Sequence, residues 1–309
     1  MVEHVDSIVD MRRHLVLEEG RIPETARSAM QSMEQRGHPW RGTQAIRTDW
    51  MEGLNITSLS EESAHEVLLW VGCTPALNLE NQSAVRAMVT VLRAAGVKFG
   101  VLGMEETCSG DPARRMGNEY LYQILAQQNI QSFNKYNVRK VLTLCPHCFN
   151  TIKNEYPQLG GNYEVVHYTE FVDELIQQGR IKPLKPVNIS MTYHDSCYLG
   201  RHNKIYDSPR RIAKSIPGLT LLEMEKRCQQ GFCCGAGGGH MWMEESGGQR
   251  INHARTDQFL STNGDTLGVS CPFCLQMFNE GIQAKGVADR KQTMDLLEVL
   301  AESLQREGE

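Results

Sequence analysis

The chain has 309 residues, a formal net charge of −5, 40% hydrophobic and 22% charged residues, and a mean hydropathy of −0.40. That is enough chain for a substantial core, and it suggests about two domains. No apolar run approaches the roughly 20 residues of a membrane helix, and no block of positive charge offers a nucleic-acid surface. Acids interrupt the start, Met1-Val2-Glu3-His4-Val5-Asp6, so it does not read as a signal peptide. Ten cysteines without a secretion signal point to a reducing, cytoplasmic setting and to metal or redox chemistry in place of disulfides.

Residues 1–64 read as helices and connecting loop. Val5, Ile8, Val9, Met11 and Leu15 recur at helical spacing, leaving Arg12, Arg13 and Glu18 for a wet face. Pro23 opens a second helix, Glu24 to Gln35, stopped by Gly37-His38-Pro39. Trp40 and Trp50 read as packing anchors, and Thr57 to Ser63 as a linker. An α/β pattern then starts. Val67 to Gly72 is a continuous apolar run, as in a buried parallel strand. It is followed by a helix over Gln82–Ala95, a strand over Val97–Leu102, a helix over Asn118–Tyr136, a strand over Lys140–Leu144, a strand over Tyr163–His167 and a helix over Phe171–Gln178. Pro183 and Pro186 mark a linker. The second half predicts strands over Val187–Tyr193, Leu219–Met224 and Thr266–Ser270. Its helices fall over Pro209–Ser215, Gly247–Leu260 and Lys291–Leu304.

The cysteines repeat with this layout. Cys73 and Cys197 are 124 residues apart; Cys108 and Cys234, Cys145 and Cys271, and Cys148 and Cys274 are each 126 apart. A shared offset on matching strand–loop–helix positions indicates an internal duplication. The expected organisation is a helical segment, 1–64, and two α/β units, 65–186 and 187–309, with parallel sheets and right-handed crossovers. Nearly every cysteine follows a predicted strand, so thiols distant in sequence should meet at the carboxyl edge of each sheet.

The second set, Cys197, Cys233, Cys234, Cys271 and Cys274, has the spacing C-x35-CC-x36-CxxC. A structural zinc takes four ligands, so five thiols point to an iron–sulfur cluster. Pro146 and Pro272 suit a helix start, whose free N–H groups and positive dipole end favour thiolate. Gly235 to Gly239 let backbone approach Cys234 closely; without the Lys-Ser/Thr of a phosphate loop, that run is not one. The first set, Cys73, Cys108, Cys145 and Cys148, has four thiols and suits a [4Fe–4S] cluster or zinc. Spacing to the CxxC makes Thr107 the replaced partner, whereas the following Gly110 makes it Ser109. His194 and Asp195, beside Cys197, are candidates for a proton relay or for holding the loop. His147 lies inside a CxxC and could hydrogen-bond a cluster sulfur or face solvent; Arg201 and His202 could attract an anion or face solvent. Cys228 belongs to neither set and reads as a core or loop cysteine.

This pattern resembles the cysteine-rich domain of the heterodisulfide reductase family, which carries two copies of C-x(31–39)-CC-x(35–36)-CxxC. His194-Asp195-Ser196-Cys197 is similar to that family's His-Asp-Pro-Cys segment, with Ser196 in place of Pro. The resemblance covers about residues 65–309. It implies two pseudo-symmetric Rossmann-like α/β repeats and a non-cubane [4Fe–4S] cluster at the five-cysteine site. The missing thiol leaves [4Fe–4S] or zinc for the first. Val2-Glu3-His4-Val5-Asp6, Asp10-Met11-Arg12-Arg13 and His38-Pro39-Trp40-Arg41-Gly42 resemble the junction that follows a ferredoxin-like domain in longer members, so Met1 would fall inside a longer architecture. Asp111-Pro112-Ala113-Arg114-Arg115 and Met241-Trp242-Met243-Glu244-Glu245 look closest to electron-transfer-flavoprotein:quinone-type reductases.

The resemblance implies an iron–sulfur electron-transfer subunit of a membrane-associated oxidoreductase, peripheral to the membrane through a partner. Its implied partners are a flavoprotein, a ferredoxin-like iron–sulfur domain and a quinone-reactive membrane subunit. Two other functions fit the same motifs: a disulfide or heterodisulfide reductase, and a zinc-stabilised scaffold for redox subunits.

Overall fold

A computed structural model describes residues 4–62, 64–243 and 247–304. Ser63, Glu244 and Glu245, each part of a stretch singled out above, lie outside the described residues, as do Val2 and Glu3. The chain opens with α1 (Val5–Arg13), continued by a π-helical turn over His14–Glu18, and α2 (Glu24–Arg36), which Gly37 ends in a left-handed conformation at φ 73°. The first α/β half follows: β1 (Val67–Trp70), α3 (Cys73–Leu77), α4 (Leu79–Ala94), β2 (Phe99–Gly100), α5 (Asp111–Arg115), α6 (Glu119–Lys135), β3 (Lys140–Thr143), α7 (Pro146–Asn154), β4 (Glu164–His167) and α8 (Tyr168–Gln177). The second half has β5 (Ser190–Tyr193), α9 (Asp207–Ser215), β6 (Thr220–Glu223), α10 (Ile251–Leu260), β7 (Thr266–Val269), α11 (Pro272–Ala284), β8 (Gln292–Asp295) and α12 (Leu296–Ser303).

Each half forms a four-stranded, wholly parallel sheet, in the orders β2-β1-β3-β4 and β6-β5-β7-β8. These are one topology used twice, as the cysteine offsets predict. Adjacent parallel strands need crossovers, which the helices supply. β1 is buried at all four positions, because both faces of its sheet are covered. The halves meet across helices: α4 packs on α12 and α9 on α8, a pairing that pseudo-two-fold symmetry requires. Met88, Val91 and Leu92 of α4 share one core with Leu297 and Leu300 of α12, Phe171 and Leu175 of α8, and Ile212 of α9.

Three expectations are corrected. The helix predicted over Lys291–Leu304 is a strand, β8, followed by the shorter helix α12. Asp295 starts that helix through a capping box with Glu298, so the chain is extended up to its N-cap. The apolar positions of α1 do not form its contact face. Only Val9 is buried there, whereas Met11 is 59% exposed. Arg12 and Arg13, assigned to the wet face, make the attachments, to the carbonyls of Arg115 (2.8 Å) and Gly238 and to Glu119 (2.6 Å). Long guanidinium stems can cover a surface that a short apolar stripe does not reach. The helix expected from Gly247 begins at Ile251, since Gly248 sits at φ 73° in the preceding turn.

Candidate metal centre

Every strand-end loop that carries a cysteine of the two sets lies at the carboxyl edge of its sheet. Cys145 and Cys271 are the N-cap residues of α7 and α11, and Pro146 and Pro272 take the first helical position. Both thiols therefore sit at the positive end of a helix. Cys73 opens α3 directly after β1. All nine thiols of the two sets are buried except those of Cys197 and Cys233, which are half-buried.

At the first set, Cys73, Cys108, Cys145 and Cys148 line one tight cleft of about 10 Å³, together with Gly72, Ser109, His147 and Phe273. Cys73 and Cys108 are in thiol–thiol contact, and this bond lowers the pKa of Cys73. The Ser109 hydroxyl lies 3.5 Å from Cys148 Sγ, and the Gly110 N–H donates to Cys108 Sγ at 3.4 Å. At the second set, Cys234 Sγ lies 3.4 Å from Cys274 Sγ, and the Gly235 N–H donates to Cys233 Sγ at 3.3 Å. Gly110 and Gly235 share a left-handed backbone, at φ 89° and 99°.

The loops therefore superpose as Cys108-Ser109-Gly110 on Cys233-Cys234-Gly235. This corrects the 126-residue offset: the counterpart of Cys108 is Cys233, and Ser109 stands where Cys234 does. Thr107 is removed from the site by its hydroxyl bond to Asn129 Oδ1 at 2.9 Å and by packing on Gly37. Spacing pointed to Thr107 because the segment from the loop to the CxxC is one residue shorter in the first half.

The two sets adjoin each other. The Cys271 thiol contacts Cys145, Cys274 and His147; burial would raise its pKa, but these three neighbours hold it well below the ordinary value. Cys233 is lowered to about 2 by the thiols of Cys197 and Cys234, with the Gly235 N–H adding to them. The residues inside the two CxxC turns cross over. Phe273 lines the first cleft, while His147 reaches Cys271 of the second set. The His147 ring stacks on Tyr198 at 4.0 Å and meets Phe273 edge-on at 4.7 Å. Its Nδ1 is 3.0 Å from Asp111 Oδ2. Burial opposes the charged ring, but Asp111 and Cys271 outweigh it and lift the His147 pKa to about 10.

His194 and Asp195 part company. A ring nitrogen of His194 lies within 4.8 Å of the sulfurs of Cys234 and Cys274. Burial, reinforced by the Arg255 charge, lowers its pKa to about 3. The Asp195 carboxylate is instead gripped by both terminal nitrogens of Arg210 (2.7 and 2.9 Å) and by the Cys228 N–H (2.7 Å). That is a loop-holding role, and it explains Cys228, which bends there at φ 50°. Arg201 likewise holds the loop, donating to Gly231 O at 2.7 Å.

Several supports could not be anticipated from the motifs. The buried pair Arg47–Glu106 (2.7 Å) sits under the Cys73 loop, where Glu106 accepts the N–H groups of Val71 (3.1 Å) and Gly72 (2.7 Å). Trp40 ties the N-terminal segment to both halves, donating to Thr74 Oγ1 at 3.2 Å and meeting Trp242 edge-on at 4.8 Å. The buried polar atoms without a hydrogen-bond partner among the described residues include Trp70 Nε1, His194 Nε2 and Ser196 Oγ. All three lie within three residues before the lead cysteine of a set. Soft donors crowded at a dry sheet edge, with N–H groups already directed at sulfur, fit a sulfur-ligated iron cluster. The first set fits zinc as well.

Comparison with known proteins agrees with this chemistry. The family described as "Cysteine-rich domain" matches twice, over residues 67–153 and 191–279. The "EtfAB:quinone oxidoreductase" of Syntrophomonas wolfei is 44% identical over 98% of this chain and 44% of its own length. The "Probable iron-sulfur-binding oxidoreductase FadF" of Bacillus subtilis gives the same three figures. A dihydromethanophenazine-linked heterodisulfide reductase polypeptide of Methanosarcina barkeri is 33% identical over 86% of this chain and 65% of its own length. The chain thus spans less than half the length of the first two. A solved structure of a hypothetical protein from Helicobacter pylori shares the fold, with a TM-score of 0.52 at 11% identity over 78% of this chain and 49% of that one.

Proposed function

The chain belongs to the cysteine-rich domain family, and on that premise we propose that it is the iron–sulfur electron-transfer part of a membrane-linked oxidoreductase. Cys197, Cys233, Cys234, Cys271 and Cys274 hold a [4Fe–4S] cluster of non-cubane type; Cys73, Cys108, Cys145 and Cys148 hold a second [4Fe–4S] cluster or a zinc ion. The working units are 65–186 and 187–309, with 1–64 as an arm across both. A cluster at these thiols supplies one-electron transfer. Burial keeps water from the thiols, the starts of α7 and α11 stabilise their negative charge, and the Gly110 and Gly235 N–H groups tune it.

The observation that carries the reading is the contact between Cys145 and Cys271. It supports the reading because the two thiol sets adjoin, as a relay between a donor and an acceptor needs. A flavoprotein is the proposed donor, and a quinone-side membrane subunit the acceptor, with a ferredoxin-like domain between partners. No helix among the described residues is long and apolar enough to cross a membrane; the proposed attachment is through such a partner, on the cytoplasmic side. The disulfide-reductase alternative rests on the Methanosarcina relative; the single five-thiol site weighs against two-cluster disulfide chemistry.

The test uses anaerobically purified protein and reduced electron-transfer flavoprotein. The centre is expected to become reduced, and Cys234→Ser to abolish the second-site EPR signal while leaving the metal at the first. An unchanged spectrum in Cys234→Ser, or no reduction of the wild-type protein, refutes the proposal.

A further inference from the structure

We propose that His194 is a positioning residue of the second centre, donating its Nε2–H to sulfur there and not ligating metal. The inference rests on the cluster reading above and adds a role for a buried side chain that ligand spacing leaves out.

Three observations carry it. First, His194 is 1% exposed, and one of its ring nitrogens lies within 4.8 Å of both Cys234 Sγ and Cys274 Sγ. Secondly, its protonation pattern is set from behind. Arg255 Nε donates to His194 Nδ1 at 3.3 Å, and the guanidinium is fixed in turn by Lys226 O and Gln258 Oε1. An arginine can only donate, so Nδ1 accepts, and a neutral ring then carries its proton on Nε2. Nε2 is also the ring atom left without a partner. Metal binding through Nε2 would require an imidazolate or loss of the Arg255 bond.

The third observation is the duplication. Cys73 and Cys197 begin the two sets, and the residue three positions before each is Trp70 and His194. Trp70 ends β1, and His194 directly follows β5, its N–H bonding Gly268 O at 2.9 Å. Trp70 Nε1 is buried and also unpartnered. It lies beside Gly72, whose Cβ position is 4.0 Å from Trp70 Nε1 and 3.5 Å from Cys148 Sγ. Cys148 is the counterpart of Cys274. Each half therefore sets a buried ring that carries an unsatisfied nitrogen near the second thiol of its CxxC. An indole N–H can donate but can never ligate. The shared feature is a donor, and the imidazole copies it. Hydrogen bonds to cluster sulfur raise the reduction potential by spreading the negative charge of the reduced state.

The experiment is an EPR-monitored redox titration of anaerobically loaded wild-type protein, His194→Phe, His194→Gln and Trp70→Phe. His194→Phe keeps a ring against Phe278 (4.8 Å) and removes the donor. It should shift the reduction equilibrium of the second centre about tenfold toward the oxidised form, which is about 59 mV for one electron. His194→Gln restores an N–H and should return most of that shift. Trp70→Phe should leave the second centre unchanged. Wild-type protein with imidazole-15N histidine provides a reading that needs no variant: pulsed EPR should show the weak 15N coupling of a hydrogen bond. An unchanged potential in loaded His194→Phe, an equal shift in Trp70→Phe, or the strong coupling of a directly bound nitrogen overturns the inference and leaves the cluster reading intact. Wild-type protein without an iron–sulfur centre overturns the cluster reading and this inference with it.

Discussion

Gly110→Ala tests whether the Cys108 loop needs the conformation seen at the first site. Gly110 has φ 89°, and an added Cβ would come 2.8 Å from Tyr122 Cδ2 and 3.3 Å from Tyr122 O. Tyr122 is itself fully buried, so its ring cannot swing into solvent. Left-handed backbone costs an ordinary residue about 1–2 kcal/mol, and overpacking a filled site adds about 1–3 kcal/mol. Gly160 separates the two costs: it has φ 85° with nothing within 4 Å of the added Cβ. Gly160→Ala should therefore cost about 1–2 kcal/mol and Gly110→Ala about 2–5 kcal/mol. At about 2 °C per kcal/mol for a large chain, the Tm values separate by several degrees. The strained loop also moves the Gly110 N–H off Cys108 Sγ, so metal should be lost from the first site and retained at the second. Thermal and urea melts of both variants, with metal analysis of each, are the assay. Equal stability of the two variants, with full first-site metal, would refute the reasoning.

Three further outcomes are expected. Ser109→Cys should rebuild the adjacent thiol pair, because Ser109 already faces Cys148 at 3.5 Å; the first site's EPR spectrum should then take on second-site features. Thr107→Cys should not do this, since Thr107 bonds Asn129; the opposite pattern would reverse the alignment of the loops. Asp295 is buried and bonded by Tyr168 Oη at 2.7 Å, and burial raises its pKa from 3.8 to about 8. The folded state keeps this proton to about pH 8, whereas the unfolded chain releases it near 3.8. The group's stabilising contribution is therefore complete at low pH and is lost as pH rises toward 8. Asp295→Asn should flatten that decline, which Tm values at pH 5 and pH 8 would reveal; equal slopes in both proteins would contradict it.

The cysteine sets were legible in the sequence because cysteine spacing on strand ends is copied with the fold, and two copies checked each other. The sheets were legible for the same reason: Val67–Trp70 and Thr266–Val269 are buried at every position. β8 was missed because Leu296, Leu297 and Leu300 impose a helical period that overruns the short strand before them. Its counterpart, β4 followed by α8, carried the signal that would have found it. The order of Cys108, Ser109 and Gly110 against the Cys233 loop needed hydrogen bonds, since one deleted residue breaks any count along the chain. Arg47 and Glu106 lie 59 positions apart, and such a pair has no periodic signature. Asp195 read as a relay candidate or as a loop holder from its place beside Cys197; the loop-holding reading is the one that stands, and only the fold brings Arg210 to it.

The most direct measurement is the iron, acid-labile sulfide and zinc content of anaerobically purified protein, with EPR on the same sample. The account predicts iron and sulfide for at least one four-iron centre, lost from the second site in Cys234→Ser. Two zinc ions with no iron or sulfide would contradict it.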